Sequence, residues 1–79
     1  MITAEVAVYP LKTSNASGVI NNSIHALDNK NVDFNVNSMN TRLSGTKEEI
    51  FRSLESMFSE AEKTGSEVSM VVTISNSAE

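Results

Sequence analysis

The stretch Thr46–Ser75, TKEEIFRSLESMFSEAEKTGSEVSMVVTIS, sets a helix directly before a strand, and its reading decides the fold class. Thr46-Lys47-Glu48-Glu49 has the spacing of a capping box, in which the threonine hydroxyl and the Glu49 carboxylate each satisfy an orphan backbone N–H. Ile50, Leu54, Met57, Phe58 and Ala61 then recur at helical spacing as a broad apolar face, with Phe51 beside it. Lys63 suits the negative end of the helix dipole, and Gly65 is a natural stop. From Glu67 the period changes to two: Val68, Met70, Val72 and Ile74 face one way, and Ser69, Val71, Thr73 and Ser75 the other. Asn76 to Glu79 reads as a frayed tail.

The same grammar is legible upstream. Ile2, Ala4, Val6 and Val8 alternate with Thr3, Glu5, Ala7 and Tyr9, which is a strand with one apolar face, ended by Pro10. A weaker helix is expected over Ala16–Asn29, capped by Ser14 or Asn15, with Ile20, Ile24 and Leu27 as its buried stripe. Gly18 and Asn21-Asn22 lower its propensity, so packing must hold it. Val32–Met39 reads as a second strand with Phe34 and Val36 on one face, and Asn40–Ser44 as a third with Thr41 and Leu43. Asn37–Asn40 is a tight hairpin or a bulge.

The order βαββαβ predicts an α+β, ferredoxin-like sandwich: a four-stranded antiparallel sheet with two helices on one face, residues 1–79 forming a single domain. The sheet's other face carries Ala7, Tyr9, Val71 and Thr73, semi-apolar for a surface left to solvent. Burial against a second copy is the simplest reading, and a solvated face the competing one. With no cysteine for a disulfide, self-association is also the stabilising device left to so short a chain.

Composition removes several function classes. The net charge is −4 and the basic residues form no stripe, which argues against nucleic acid. No apolar run is long enough to span a bilayer, and no basic start leads into an apolar stretch, so a cytoplasmic protein without membrane insertion is expected. A lone histidine, His25, cannot assemble a metal site, and no acid is placed to orient it for catalysis. Glu48 and Glu49 are explained by capping and the helix dipole. There is no phosphate-cradling glycine loop. No catalytic residue, metal or cofactor is therefore assigned, and the chain is expected not to be an enzyme.

What remains is polarity in an odd place. Asn35, Asn37, Ser38, Asn40 and Thr41 crowd strand positions that β-branched or aromatic residues would serve better. Turn chemistry explains this, since Asn and Ser favour hairpin tips. That is the simpler account; the competing one is a pocket whose few polar groups orient a flat heterocycle.

The collinear set Glu5-Val6-Ala7-Val8-Tyr9-Pro10-Leu11, Asn40-Thr41-Arg42-Leu43-Ser44-Gly45, Glu49-Ile50-Phe51, Leu54-Glu55, Met57-Phe58, Ala61-Glu62 and Met70-Val71-Val72-Thr73-Ile74-Ser75 resembles one repeat of the YkoF family across nearly the whole chain. More distantly it resembles the broader family of short thiamine-binding βαββαβ proteins. Relatives in that broader family tend to have Gly-Pro where this chain has Asn37-Ser38. The resemblance implies non-enzymatic binding of thiamine or its hydroxymethylpyrimidine moiety, supporting vitamin uptake or salvage. It also implies a homodimer paired through the sheets, with a higher oligomer compatible.

On that reading Ser38, Asn40 and Thr41, with Asn37, are the polar ligands that read an aminopyrimidine edge. Phe34, Met39 and Phe51 are the candidates for its flat faces. Tyr9 or Glu5 would favour a thiazolium cation, and Arg42 and Lys12 are the cations available to a phosphate. The alternative is a small interaction or regulatory module that assembles through its sheet and binds no ligand. A third reading, pyrimidine chemistry with His25 as acid or base, requires His25 within reach of the same cavity.

Overall fold

The computed structural model describes residues 1–77, so the last two positions of the expected tail, Ala78 and Glu79, lie outside the described residues. The elements run β1 (Ile2–Leu11), α1 (Ala16–His25), β2 (Asp33–Val36), β3 (Thr41–Gly45), α2 (Lys47–Gly65) and β4 (Glu67–Ser75). They form a four-stranded sheet in the order β2-β3-β1-β4, with antiparallel neighbours throughout. The architecture is the ferredoxin-like α+β sandwich that the periodicities predict.

Register follows the alternation of apolar residues. Ala4 lies opposite Leu43 and Ile74, and Val6 opposite Thr41 and Val72, so the inward rows of three strands align under the helices. Ala4, Val6, Leu27, Leu43, Ile50, Leu54 and Met57 form the buried core. The helices pack over β1, β3 and β4, and every residue of β2 stays exposed. Phe34 and Val36 share the helix-side face with Leu43 and Thr41, yet both remain exposed because nothing covers that edge.

Several boundaries shift for identifiable reasons. β1 continues through Pro10, opposite Val68, to Leu11. Its pairing with β3 ends at Val6, so a residue without an N–H interrupts no ladder on that side. β2 is shorter than the Val32–Met39 run, because the chain turns back at Asn37, whose N–H donates to the Asn40 carbonyl at 2.8 Å. α1 stops at His25 instead of Asn29. Leu27, Asp28 and Lys30 donate to the carbonyls three residues before them, so the chain tightens into turns while Leu27 stays buried. Asn15 is the cap, its side chain accepting from the Gly18 N–H at 3.3 Å.

The α1 face is rotated from the expected stripe. Val19 and Ser23 are the buried helical positions, and Ile20 and Ile24 are only half-buried. In α2, Thr46 caps the Glu49 N–H at 3.2 Å, but the Glu49 carboxylate turns to Arg52 at 3.3 Å, so half of the capping box forms among the described residues. Gly65 is the last helical residue, and the left-handed backbone falls on Ser66, φ 65°. Gly65 instead permits close approach: a Cβ there would meet Val19 Cγ1 at 3.0 Å. Phe58 is half-buried and Phe51 exposed, while Ser53, outside the apolar pattern, is fully buried.

The Ser53 hydroxyl is buried without a hydrogen-bond partner among the described residues. Removing such a group, and substituting a better helix former, is favourable. Ser53→Ala is therefore expected to stabilise the protein by about 1 kcal/mol in urea unfolding. Ser66→Gly relieves the left-handed strain and is expected to add about 1 kcal/mol, whereas Gly65→Ala is expected to lower the unfolding midpoint by crowding Val19.

Candidate functional site

The strands of the sheet differ in reach. The β2–β3 hairpin turns level with Val6, while β1 and β4 pair on to Leu11 and Glu67. From Ala7 onward β1 therefore has β4 on one side and no strand on the other. The bare edge, the hairpin tip and the inner side of α1 enclose a groove of about 120 Å³.

Its floor is apolar: Val6 and Val8 from β1, Ile20 and Ile24 from α1, Met57 from α2 and Val36 from β2. Its opposite wall is the hairpin tip, Asn37-Ser38-Met39-Asn40-Thr41. Thr41 points to the helix side beside Val6 and is 5% exposed. Asn37 Nδ2 donates to Asn40 Oδ1 at 3.4 Å, and the Ser23 hydroxyl to the Ile20 carbonyl at 2.8 Å. The hydroxyls of Ser38 and Thr41 are left without partners among the described residues. Among the described residues, no Asp, Glu, Lys, Arg or His lines the groove.

The structure thus brings together Tyr9, Asn37, Ser38, Met39, Asn40 and Thr41 of the residues singled out in the sequence. Tyr9 lines the groove although its side chain leaves β1 on the open face of the sheet, because here the strand edge is itself the wall. Met39 stands at the mouth, 82% exposed, and does not fill it.

Other candidates lie elsewhere. Phe34 sits further along β2 opposite Leu43, outside the groove lining. Phe51 borders a separate depression with Ile2, Lys47 and Ile74, too far round the molecule to stack on the same ligand. Glu5 and Arg42 pair with each other at 3.7 Å on the open face, beside Thr3 and Thr73, and Lys12 pairs with Glu67 at 3.2 Å. His25 lies between the outer sides of the helices in a larger polar groove of about 490 Å³, beside Asn22, Glu55 and Glu60, and does not line the first groove. Sequence reasoning missed Ile20, Ile24 and Val8 as groove residues, since apolar periodicity assigns such positions to the core.

Fold and groove together define a small α+β domain with an uncharged polar-and-apolar cleft at a sheet edge. The sequence matches the YKOF-related family over residues 1–78, and the chain belongs to that family. It has no match among curated proteins. Among solved structures it is similar to a protein of Streptococcus pneumoniae at 24% identity, TM-score 0.91, over 98% of this chain and 87% of the other. A candidate thiamine biosynthesis/salvage protein of Thermotoga maritima matches at 19% identity, TM-score 0.85, over 96% and 83%. A domain of unknown function from Bacillus cereus matches at 22% identity, TM-score 0.86, over 96% and 75%. At these identities the likenesses establish the fold.

The groove residues are separable from the core by stability. Met39→Ala is expected to leave the unfolding free energy within about 0.5 kcal/mol, whereas Leu43→Ala, in the buried core, is expected to cost about 2–5 kcal/mol. Urea denaturation of both variants provides the check.

Proposed function

We propose that this protein binds the hydroxymethylpyrimidine moiety of thiamine, free or within the vitamin, in the groove between β1 and the β2–β3 hairpin, and that it serves uptake or salvage without catalysis. The observation that carries the reading is the lining: amides and hydroxyls on one wall, an apolar floor, and no charged side chain among the described residues. A neutral heteroaromatic ring with polar substituents suits such a surface, while a phosphate finds no cation there. The groove's volume, about 120 Å³, corresponds to a few water molecules, so it takes one ring and leaves the remainder of a larger ligand at the mouth. Membership of the YKOF-related family and likeness to the Thermotoga protein support the thiamine connection. Ser38, Asn40 and Thr41, with Asn37, are the polar contacts on this reading, and Met39 and Ile24 flank the ring.

The open sheet face supports the pairing of two copies. Tyr9 is 51% and Val71 57% exposed, Leu11 is exposed beside them, and Ala7 lies directly opposite Val71. Large apolar side chains clustered on the uncovered face of β1 and β4 are what an isologous dimer buries. In a dimer of this kind the ligand groove stays open at its hairpin side.

Titration calorimetry with thiamine and with 4-amino-5-hydroxymethyl-2-methylpyrimidine tests the ligand. Binding of the pyrimidine is expected, and no heat from either compound at millimolar concentration overturns the proposal. Thr41→Val is expected to weaken binding by about 1–3 kcal/mol, because a ligand group loses its hydroxyl partner. For the assembly, Val71→Lys is expected to convert a dimer to a monomer in sedimentation equilibrium. A wild-type monomer at high concentration would remove the dimer.

A further inference from the structure

The groove holds one more recognition element, and it is main chain. Asn37 donates its N–H to the Asn40 carbonyl at 2.8 Å, so the main chain of Asn40 faces β2. Directions alternate along a strand, so the N–H and C=O of Thr41 face β1 and its partner Val6. On β1, Val6 therefore aims both of its groups at β3, and Ala7 aims its groups at β4. Two residues on, Val8 repeats the direction of Val6, but β3 has already ended and no turn residue takes up its groups among the described residues. The N–H and C=O of Val8 thus emerge from the strand edge into the groove, which Val8 lines.

Pro10 completes the geometry. It shares the direction of Val8, which is why it sits in β1 without costing a bond to β4. Because proline has no N–H, the bare edge offers one donor, the Val8 N–H, with the carbonyls of Val8 and Pro10 as acceptors, and cannot continue as a ladder; of these only the Val8 pair belongs to the groove lining. An extended peptide adding to the sheet needs a succession of such pairs. A single donor–acceptor pair beside an apolar floor fits a small ring instead.

Resting on the binding reading above, we propose that the main chain of Val8 reads the amidine edge of an amino-substituted nitrogen heterocycle. The Val8 N–H donates to a ring nitrogen, and the exocyclic amino group donates to the Val8 carbonyl. The hydroxyls and amides of the hairpin tip then meet the substituents on the ring's far side. A main-chain reader does not vary with side-chain substitution, so specificity for the amidine edge is built into the stagger of the strands.

The test is a titration of the ¹⁵N-labelled protein with 4-amino-5-hydroxymethyl-2-methylpyrimidine, beside the analogue lacking the amino group. The Val8 amide resonance is expected to shift and its hydrogen exchange to slow on binding. Loss of the amino group is expected to weaken affinity about tenfold or more. Binding detected by calorimetry with the Val8 amide unmoved, or with equal affinity for the two compounds, overturns the Val8 assignment and leaves the binding reading standing. Absence of binding by either compound overturns both. Perturbation of the Val8 amide by an added peptide and by neither pyrimidine overturns the small-ring assignment in favour of strand addition.

Discussion

The bond from the Asn37 N–H to the Asn40 carbonyl, 2.8 Å long, is the constraint on which the rest of the site depends. It turns the β2–β3 hairpin level with Val6, while β1 keeps its pairing with β4 through Leu11. An antiparallel sheet with strands of equal reach would satisfy every main-chain group along β1. The early turn leaves part of that edge bare and walls the vacancy with asparagine, serine and threonine. Apolar residues of β1, α1 and α2 close it from beneath. Groove, polarity and lack of charge all follow from where one hairpin stops.

Energetically the arrangement separates scaffold from site. Ala4, Val6, Leu43, Ile50 and Met57 are at most 1% exposed and hold the helices on the sheet, which is where substitutions cost most. The hairpin tip lies beyond that core, with Met39 and the asparagines able to change without disturbing it. Ion pairs contribute little to either. Lys12–Glu67, Arg42–Glu5, Arg52–Glu49 and Lys63–Glu60 all lie at the surface, where such pairs are weak.

Most of the fold was legible in the sequence because it rests on local periodicity. The alternation from Glu67 to Ser75 and the Thr46 cap read directly as β4 and the start of α2. Three features were not. The α1 stripe was displaced because the buried row pairs Val19 with a serine at position 23 and so does not read as an apolar stripe, although the close approach of Gly65 makes Val19 a contact residue. Ser53 reads as a surface residue and is fully buried. Pro10 reads as a strand terminator, and only the missing β3 neighbour shows why it is tolerated. For the site, the asparagine-rich turn was visible as an anomaly, whereas Val8 was invisible, because a strand's main-chain direction depends on its partner's register and not on its own residues. Phe51 illustrates the converse error: helical spacing placed it beside the apolar face, but the exposed side it occupies belongs to another part of the surface.

The central claim is that the groove between the bare edge of β1 and the Asn37–Asn40 turn is the ligand site. A crystal structure of the protein grown with 4-amino-5-hydroxymethyl-2-methylpyrimidine tests it most directly. The account predicts the ring in that groove, its amino edge toward Val8 and its substituents toward Ser38 and Thr41. A ring bound between the helices beside His25, or on the open sheet face, would contradict it.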